Sequence, residues 1–183
     1  MRKLVYEINI SLDGFADHTA GSVVDDEMYD FFSGLLDETG IEIFGRATYQ
    51  LMENYWPNIY QEPNPTRGEL EFADRYNSIS KIVFSKTLQK ADWNNTKLIK
   101  DDAVEEIKKL KQQPGKNISV GGIHLASSLM NAGLIDEYWI LIHPVIVGKG
   151  RRLFETIKER QNLKLIETKK LKSGVVVLHY INN

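Results

Sequence analysis

The amino-acid sequence predicts an α/β fold with a mostly parallel central sheet and antiparallel strands towards its C-terminal end. Through most of the chain, short apolar segments with strand character alternate with segments whose apolar residues recur every three or four positions. This order is typical of parallel strands connected by helices. From Glu137 onward the helical pattern stops, and three strand-like segments follow one another. We therefore expect three layers, with helices covering both faces of the sheet.

Length and composition predict one domain. The 183 residues and the hydrophobic content of 42% suit a single unit with a sizeable core, and no linker-like segment interrupts residues 1–183. The net charge of −2 argues against a nucleic-acid-binding protein, which usually carries a basic excess. The lack of cysteine excludes disulfides, thiolate metal sites and cysteine nucleophiles.

The sequence also predicts a cytoplasmic protein. Residues Met1 to Glu7 enter an alternating pattern directly, without the long apolar stretch of a signal peptide. No segment is apolar over the length that a bilayer requires.

The first strand and the first helix follow from two different periodicities. Lys3 to Ser11 alternates in the manner of a strand, and Asp13-Gly14 ends it and begins a polar loop that runs to Asp25. The helix that follows carries one apolar stripe, formed by Met28, Phe31, Phe32, Leu35 and Leu36. Either Asp25 or Asp26 can cap its start, and Gly40 is placed to end it.

The middle of the chain repeats the alternation of strand and helix. Ile41 to Phe44 predicts a short buried strand, and Arg46 to about Asn54 predicts a second helix. A polar loop, Trp56 to Thr66, leads to a short helix with apolar residues Leu70, Phe72, Ala73 and Tyr76. Ile79 to Ser85 and Lys97 to Lys100 predict two further strands.

The remaining elements are marked by capping residues and glycines. Asp102 with Glu105 predicts a capped helix, followed by a strand over Asn117 to Val120 and a helix over Ile123 to Ala132. The strands predicted after that are Glu137 to Val147, Leu163 to Leu171 and Val175 to Ile181. Pro144 inside the first of these predicts an edge position or a bulge.

Two strand-to-helix junctions carry residues suited to phosphate. In Gly45-Arg46-Ala47-Thr48 a glycine and a helix start follow a buried strand, and free N–H groups and the helix dipole favour an anion there. Arg46 adds a guanidinium that binds phosphate oxygens in pairs. Val120-Gly121-Gly122-Ile123 repeats the arrangement, and its glycines let a ligand approach the backbone closely. One such junction is common in α/β proteins, whereas two together predict an anionic ligand at the carboxyl ends of the strands.

Other polar groups carry a weaker signal. Ser85-Lys86-Thr87 ends another buried strand and would add two hydroxyls and a cation to the same edge, although on its own it is typical of a polar turn. The four histidines are His18, His124, His143 and His179. They lack the spacing of metal ligands, so we expect no metal site.

Taken in order, these segments resemble the dihydrofolate reductase superfamily. They are most similar to the reductase domain of the bifunctional riboflavin-biosynthesis deaminase-reductase and its stand-alone relatives. The segments that carry the resemblance are Ser11 to Asp17, Gly45 to Tyr49, Val83 to Thr87, Val120 to Ile123, Leu134 to Glu137 and His143 to Gly150. Together they extend over nearly the whole chain.

The resemblance implies a dihydrofolate reductase-like fold and an NADPH site along the sheet edge. The residues that would contact NADPH are Ala16, Gly45, Arg46, Thr48, Ser85, Lys86, Thr87, Gly121, Gly122 and Ile123. Arg46 would meet the 2′-phosphate that distinguishes NADPH from NADH, and Thr48 with its helix start would hold the pyrophosphate. Ser85 to Thr87 would surround the adenosine, and Gly121 to Ile123 would meet the pyrophosphate and the nicotinamide ribose. The loop Asp13 to Ala16 would cover the nicotinamide.

The resemblance leaves the proton donor unassigned. Dihydrofolate reductases place a carboxylate on the first helix, roughly where Tyr29 stands here. The nearby Asp26, Glu27 and Asp30 are typical of a solvated helix start, so a genuine dihydrofolate reductase is not expected.

Four residues are candidate substrate contacts: Asn9, Asp13, Tyr29 and Tyr49. Asp13 is equally suited to a turn with Gly14. Aromatic residues at positions such as Tyr49 more often belong to the core.

The leading hypothesis is an NADPH-dependent reductase of a small pyrimidine- or pterin-like compound. Its most specific form is the riboflavin-pathway reaction, the reduction of 5-amino-6-(5-phosphoribosylamino)uracil at its sugar. The alternative is a nucleotide-binding module of the same fold without catalysis, which phosphate-site residues and the lack of an identifiable acid would suit. The apolar stretch Tyr138 to Ile142 either pairs across a dimer interface or lies within one sheet, and we expect a homodimer.

Overall fold

The computed structural model describes residues 1–16 and 24–183, in which eight strands form one sheet with helices on both faces. Residues 17–23 lie outside the described part. They include His18, Asp17 and most of the loop predicted between Gly14 and Asp25.

The observed elements follow the predicted alternation closely. The strands are β1 (Leu4–Ser11), β2 (Thr39–Gly45), β3 (Ser80–Phe84), β4 (Thr96–Ile99), β5 (Asn117–Gly121), β6 (Glu137–His143), β7 (Leu163–Lys170) and β8 (Val176–Asn182). The helices are α1 (Asp26–Glu38), α2 (Arg46–Tyr55), α3 (Arg67–Ser78), α4 (Ala103–Gln112) and α5 (His124–Asn131). A 3₁₀ helix, Trp56–Gln61, follows α2. Within the described ranges, no helix combines the length and apolarity needed to cross a membrane.

The strand order is β4-β3-β2-β5-β1-β6-β8-β7. Every neighbouring pair from β4 to β6 is parallel. β8 runs antiparallel to both of its neighbours, β6 and β7. The predicted α/β class, with a mostly parallel sheet and an antiparallel C-terminal addition, is therefore confirmed. β1 lies at the centre of the sheet, between β5 and β6.

The alternation of side chains along the strands divides the core in two. Leu4 and Tyr6 of β1 face α4 and α5 and pack with Ile107 and Leu129. The opposite face is covered by α1, α2 and α3. It holds an aromatic cluster that includes Phe44, Tyr49, Trp56, Phe72, Tyr76 and Trp93. Rings of this size dominate the apolar area that such a core removes from water.

Asp25, not Asp26, caps α1. Its carboxylate accepts from the Met28 N–H at 2.9 Å, whereas the Asp26 carboxylate accepts from the Gly68 N–H at the start of α3. The prediction that Gly40 ends α1 was wrong, because Gly40 lies in β2. A side chain there would meet the Arg2 guanidinium at 2.9 Å.

Most other boundaries agree with prediction within one or two residues, the loop predicted from Trp56 to Thr66 begins with a 3₁₀ helix, and two boundaries differ by more. α3 is a full helix of 12 residues rather than a short one, since Thr66 and Glu69 form a reciprocal capping box at its start. β6 ends at His143 and does not continue to Val147. Pro144 has no N–H to donate to a neighbouring strand, so the strand stops where the proline begins.

Candidate functional site

The two predicted phosphate junctions lie side by side at the carboxyl ends of adjacent strands. β2 and β5 pair in parallel, with Phe44 opposite Gly121. A methyl group on Gly122 would lie 2.2 Å from Thr48 Oγ1, and the φ of Gly122 is +89°. Only glycine tolerates both conditions. The structure thus brings two segments that are far apart in sequence onto one surface.

The starts of both helices at this surface are free of capping side chains. Gly45 precedes α2, Ile123 precedes α5, and neither helix has an acidic residue in its first turn. The backbone N–H groups of the first turns therefore remain available to an anion. Arg46 is exposed, and its Nη1 donates to Gln50 Oε1 at 3.1 Å.

Ser85 serves the turn that follows β3. Its hydroxyl accepts from the N–H groups of Thr87 at 3.2 Å and Leu88 at 2.9 Å, which is the arrangement of an ordinary polar turn. Lys86 and Thr87 are exposed. Contact of these residues with an adenosine remains a prediction.

The loop from Asp13 to Ala16 is tied to the segment that follows β6. The Asp13 carboxylate accepts from the N–H groups of Val147 at 3.2 Å and Gly148 at 2.7 Å. The Ala16 N–H donates to the Arg151 carbonyl at 2.9 Å. Hydrogen bonds from the Ser11 hydroxyl and then from these N–H groups hold the pKa of Asp13 below its usual value. Asp13 therefore orders the loop instead of acting only as a turn residue.

Two of the candidate substrate contacts do not reach an open surface. Tyr49 is 0% exposed. Its hydroxyl donates to Glu53 at 2.6 Å and accepts from the Trp93 N–H at 3.0 Å. Burial, and then the bond to Glu53, raise the pKa of Tyr49 to about 12. The structure corrects this assignment, because a hydroxyl committed to the core has no place for a substrate.

Tyr29 is likewise a packing residue. Its ring lies 5.8 Å from that of Phe72 and 6.2 Å from that of Trp56, and its hydroxyl donates to Glu69 at 3.3 Å. Burial raises the pKa of Tyr29, and the Glu69 charge raises it further. Tyr29 therefore neither contacts an open cleft nor supplies a proton near neutral pH.

Asn9 lies on the partly covered stretch of β1 from Glu7 to Ile10, and we call the face of this stretch that carries Glu7 and Asn9 the cleft. Although β1 is central, each residue from Glu7 to Ile10 is only half-buried, so the helices leave part of this strand uncovered. His143 Nε2 lies 3.0 Å from Asn9 Oδ1. Burial lowers the pKa of His143, so the neutral ring donates to the amide oxygen. The Asn9 amide NH₂ has no partner among the described residues and is available to a ligand.

Two carboxyl groups that were not predicted from the sequence, those of Glu7 and Glu42, lie near the turn formed by Gly121 and Gly122. Glu42 of β2 is opposite Ser119 of β5, and Glu7 of β1 approaches Ser119 from the other side. The Ser119 hydroxyl therefore interacts with both carboxyl groups. Glu42 is 5% exposed, and its Oε1 lies 3.4 Å from the position of a methyl group on Gly121. A glutamate inside the otherwise apolar strand Ile41–Phe44 was the sequence signal for this pair.

The environment of these carboxyl groups disfavours charge. Burial raises the pKa of Glu7 to about 7. Burial and the neighbouring Glu7 raise that of Glu42 well above its usual value, against smaller opposing effects of Ser119 and Lys81. Lys81, opposite Glu42 on β3, has its own pKa lowered to about 8 by burial. Its ammonium is held by the carbonyls of Asn77 and Ile79.

One family profile and two relatives match nearly the whole chain. The sequence profile of the family described as RibD C-terminal domain matches residues 2–177. The chain is 35% identical over 184 residues to the uncharacterized protein YyaP of Bacillus subtilis (strain 168), covering 98% of this chain and 94% of YyaP. It is 27% identical over 186 residues to the uncharacterized protein YwjB of the same organism, covering 98% of each.

Solved structures share the fold at low sequence identity. A putative riboflavin biosynthesis protein from Shewanella sp. PV-4 matches with a TM-score of 0.74 and 18% identity, over 99% of each chain. A diaminohydroxyphosphoribosylaminopyrimidine deaminase/5-amino-6-(5-phosphoribosylamino)uracil reductase from Thermotoga maritima matches with a TM-score of 0.70 and 17% identity. That match covers 100% of this chain and 57% of the Thermotoga chain.

Proposed function

The chain belongs to the RibD C-terminal domain family, and from that membership we propose that it is an NADPH-dependent reductase of a small pyrimidine- or pterin-like compound. We propose further that residues 1–183 act as one domain in the cytoplasm. Two proteins of similar structure support the substrate class: a putative riboflavin biosynthesis protein and a deaminase that is also a 5-amino-6-(5-phosphoribosylamino)uracil reductase.

The observation that carries the proposal is the contact between Thr48 and Gly122. It joins two uncapped helix starts at one sheet edge, and a ligand with several phosphates suits such a surface. Gly45, Thr48 and Gly121 to Ile123 would hold the pyrophosphate. The exposed guanidinium of Arg46 would bind the 2′-phosphate, since a planar fork matches phosphate oxygens.

NADPH, when bound, supplies a hydride from its nicotinamide. The chain supplies position and shelter from water. The loop Asp13 to Ala16, held by the hydrogen bonds of Asp13 to Val147 and Gly148, would close over the reacting groups. Asn9, with its amide oxygen bonded to His143, would orient the substrate through its free NH₂.

The experiment that tests the cofactor is a titration with NADPH and with NADH. We expect selective binding of NADPH, and we expect Arg46→Ala to weaken it by about 10- to 100-fold while leaving NADH unchanged. Arg160→Ala is the matched control, because Arg160 is exposed and bonds to Asn162, away from the carboxyl ends of β2 and β5 where the nucleotide would bind. No binding of either nucleotide, or equal losses in both variants, would contradict the proposal.

A catalytically silent nucleotide-binding module is the second candidate. The observation that favours it is the burial of Tyr29, which replaces an acid on α1. Oxidation of NADPH in the presence of 5-amino-6-(5-phosphoribosylamino)uracil separates the two candidates, because a silent module binds NADPH without consuming it.

We also propose a homodimer. The stretch Tyr138 to Ile142 is not its interface, because β6 pairs with β1 and β8 within one sheet. β7 is an edge strand, and its Leu165 and Ile166 are about half exposed. This edge is therefore the better candidate. Light scattering of the wild type and of Ile166→Lys tests the assignment, because a charge there should yield monomers.

A further inference from the structure

The proposed reduction requires a proton as well as a hydride, and α1 offers no carboxyl group at the cleft. Tyr29 is committed to the aromatic cluster. The carboxylates of Asp25, Asp26 and Glu27 accept backbone hydrogen bonds. Asp30 pairs with Arg67 of α3. The donor must therefore come from another element.

We propose that Glu7 is the proton donor of this reduction, and that Glu42 behind it forms with it a pair that retains one proton. The proposal rests on the proposed function for its reductant, which is NADPH. It assigns a catalytic role to Glu7, which is half-buried, and a positioning role to Glu42, which is buried.

The geometry of the three central strands supports this assignment. Glu7 is half-buried at the wall of the cleft, whereas Glu42 is 5% exposed. Ser119 lies between them on β5. The Glu42 Oε1 lies 3.4 Å from the methyl position of Gly121. The pair therefore extends from the cleft to the glycine turn where the cofactor would bind, and Glu7 is the member through which a proton can leave.

A second observation indicates that the side chains next to Glu7 on this face of the sheet, those of Asn9 and His143, face a ligand. Asn9 follows Glu7 on the same face of β1, and His143 lies opposite Ser11 on β6. His143 is 2% exposed, and its Nδ1 has no hydrogen-bond partner within the described part of the chain. A buried polar atom without a partner costs free energy unless a ligand or water satisfies it. Asn9 and His143 are therefore suited to contact a polar group of a ligand in the cleft.

The charged and titratable groups around the pair favour one shared proton. Lys81 on β3 faces Glu42. Burial raises the pKa of Tyr76 on α3, and the charges of Glu42 and Glu7 raise it further. Trp139 stands opposite Glu7 on β6, with His179 of β8 stacked on it at 3.8 Å. A half-buried and a buried carboxyl group with one nearby cation cannot both ionise easily. Burial raises the pKa of Glu7 to about 7, so that a substantial fraction of Glu7 carries the proton it would donate in neutral solution.

The chemical step balances with these groups. A hydride from NADPH adds to the carbon of a C=N or C=O bond, and that carbon gains a hydrogen and two electrons. The nitrogen or oxygen takes the proton of the Glu7 carboxyl group, which becomes a carboxylate. Solvent that enters the cleft returns a proton to Glu7 after the product leaves.

The first test needs neither cofactor nor substrate. We expect ¹³C NMR of protein labelled at the glutamate carboxyl carbons to show one group that titrates near neutrality. This signal should disappear in Glu7→Gln and persist in Glu155→Gln, which removes an exposed carboxyl group. Glu42→Gln should instead remove a second signal that titrates at higher pH. Titration of every glutamate in the ordinary acidic range would overturn the proposal.

The second test follows NADPH oxidation with 5-amino-6-(5-phosphoribosylamino)uracil. We expect Glu7→Gln to lower kcat by about 100-fold or more, the usual contribution of a positioned acid, and to leave its affinity for NADPH unchanged. The control Glu155→Gln should retain the activity of the wild type. A kcat within threefold of the wild type in Glu7→Gln would overturn the donor role and leave the reductase intact. Failure of the wild type to bind NADPH would remove the proposed function and the donor role together, and the NMR titration would still report the state of the pair.

Discussion

The most constrained residue of the candidate site is Gly122. Its φ of +89° is rare for any residue with a side chain, and a methyl group there would meet Thr48 Oγ1 at 2.2 Å. The contact holds the start of α5 against the start of α2. Any substitution that separates these helices should therefore damage the fold and the nucleotide surface together.

We expect Gly122→Ala to lower the free energy of unfolding by roughly 1–3 kcal/mol, through backbone strain and the clash with Thr48. NADPH binding should weaken in parallel. Gly34→Ala is the matched control. Gly34 is exposed within α1 and has nothing near its methyl position, so alanine there should raise stability by about 0.5–1 kcal/mol. Urea unfolding measures both variants, and equal behaviour would contradict the assigned contact.

The sequence could predict some site residues and not others, for a physical reason. Gly45 and Gly122 act through backbone conformation at a local junction, so their neighbours in sequence suffice to indicate them. Glu7 and Glu42 become a pair only when β1, β5 and β2 align. Tyr49 was misassigned for the same reason, since its partner Trp93 lies far along the chain.

At the scale of elements, the loop after β1 and the segment after β6 behave as one unit. The Leu12 N–H donates to Val145, and the Asp13 carboxylate accepts from Val147 and Gly148. In their described residues, neither segment has helix or strand structure apart from the isolated bridge between Phe15 and Arg152. Their order therefore depends on these mutual hydrogen bonds.

We expect Asp13→Ala to release the segment after β6. Without the carboxylate, the amide hydrogens of Val147 and Gly148 should exchange with solvent at least tenfold faster, because a hydrogen bond to a charged group contributes roughly 1.5–3 kcal/mol. The amides of β5 should be unaffected. Hydrogen exchange followed by NMR measures both, and unchanged protection at Gly148 would contradict the clamp.

The positions of helices and strands were predictable where neighbouring residues in the sequence indicate them. The ends of these elements were less predictable where contacts with other elements determine them. The stripe of α1 and the alternation of β1 gave correct positions. α3 extends further than its apolar residues indicated because the capping box of Thr66 and Glu69, together with the Asp26 carboxylate that accepts from the Gly68 N–H, stabilises its start. β6 stops at His143, where a run of apolar residues suggested that it continues.

For the whole molecule, the carboxyl pair couples stability to pH. A carboxyl group whose pKa is raised by folding binds more protons in the native state, so stability falls as pH rises between the unfolded and folded pKa values. For Glu7 that window runs from its ordinary value of 4.5 to about 7, and for Glu42 it reaches higher. His143 acts in the opposite direction, but only below its ordinary pKa of 6.5.

We therefore expect the free energy of unfolding to decrease between about pH 6.5 and 8, where neither His143 nor the lowered pKa of Lys81, about 8, offsets the pair. Each proton involved changes the free energy by up to about 1.4 kcal/mol per pH unit. Glu7→Gln should be more stable than the wild type at pH 8 and should flatten the profile. Urea unfolding across this range checks the slope, and a rising profile would contradict the buried pair.

The central place of β1 has a consequence for the order in which the protein can fold. β1 is made before both of its partner strands, because Leu4 pairs with Ile118 of β5 and Tyr6 pairs with Tyr138 of β6. Until the chain is synthesised or collapsed that far, an apolar strand has no sheet partner. Such distant pairing slows folding and leaves a segment that can associate with other chains. Refolding should therefore lose yield as protein concentration rises, and a chaperone that shields the N-terminal strand should restore it.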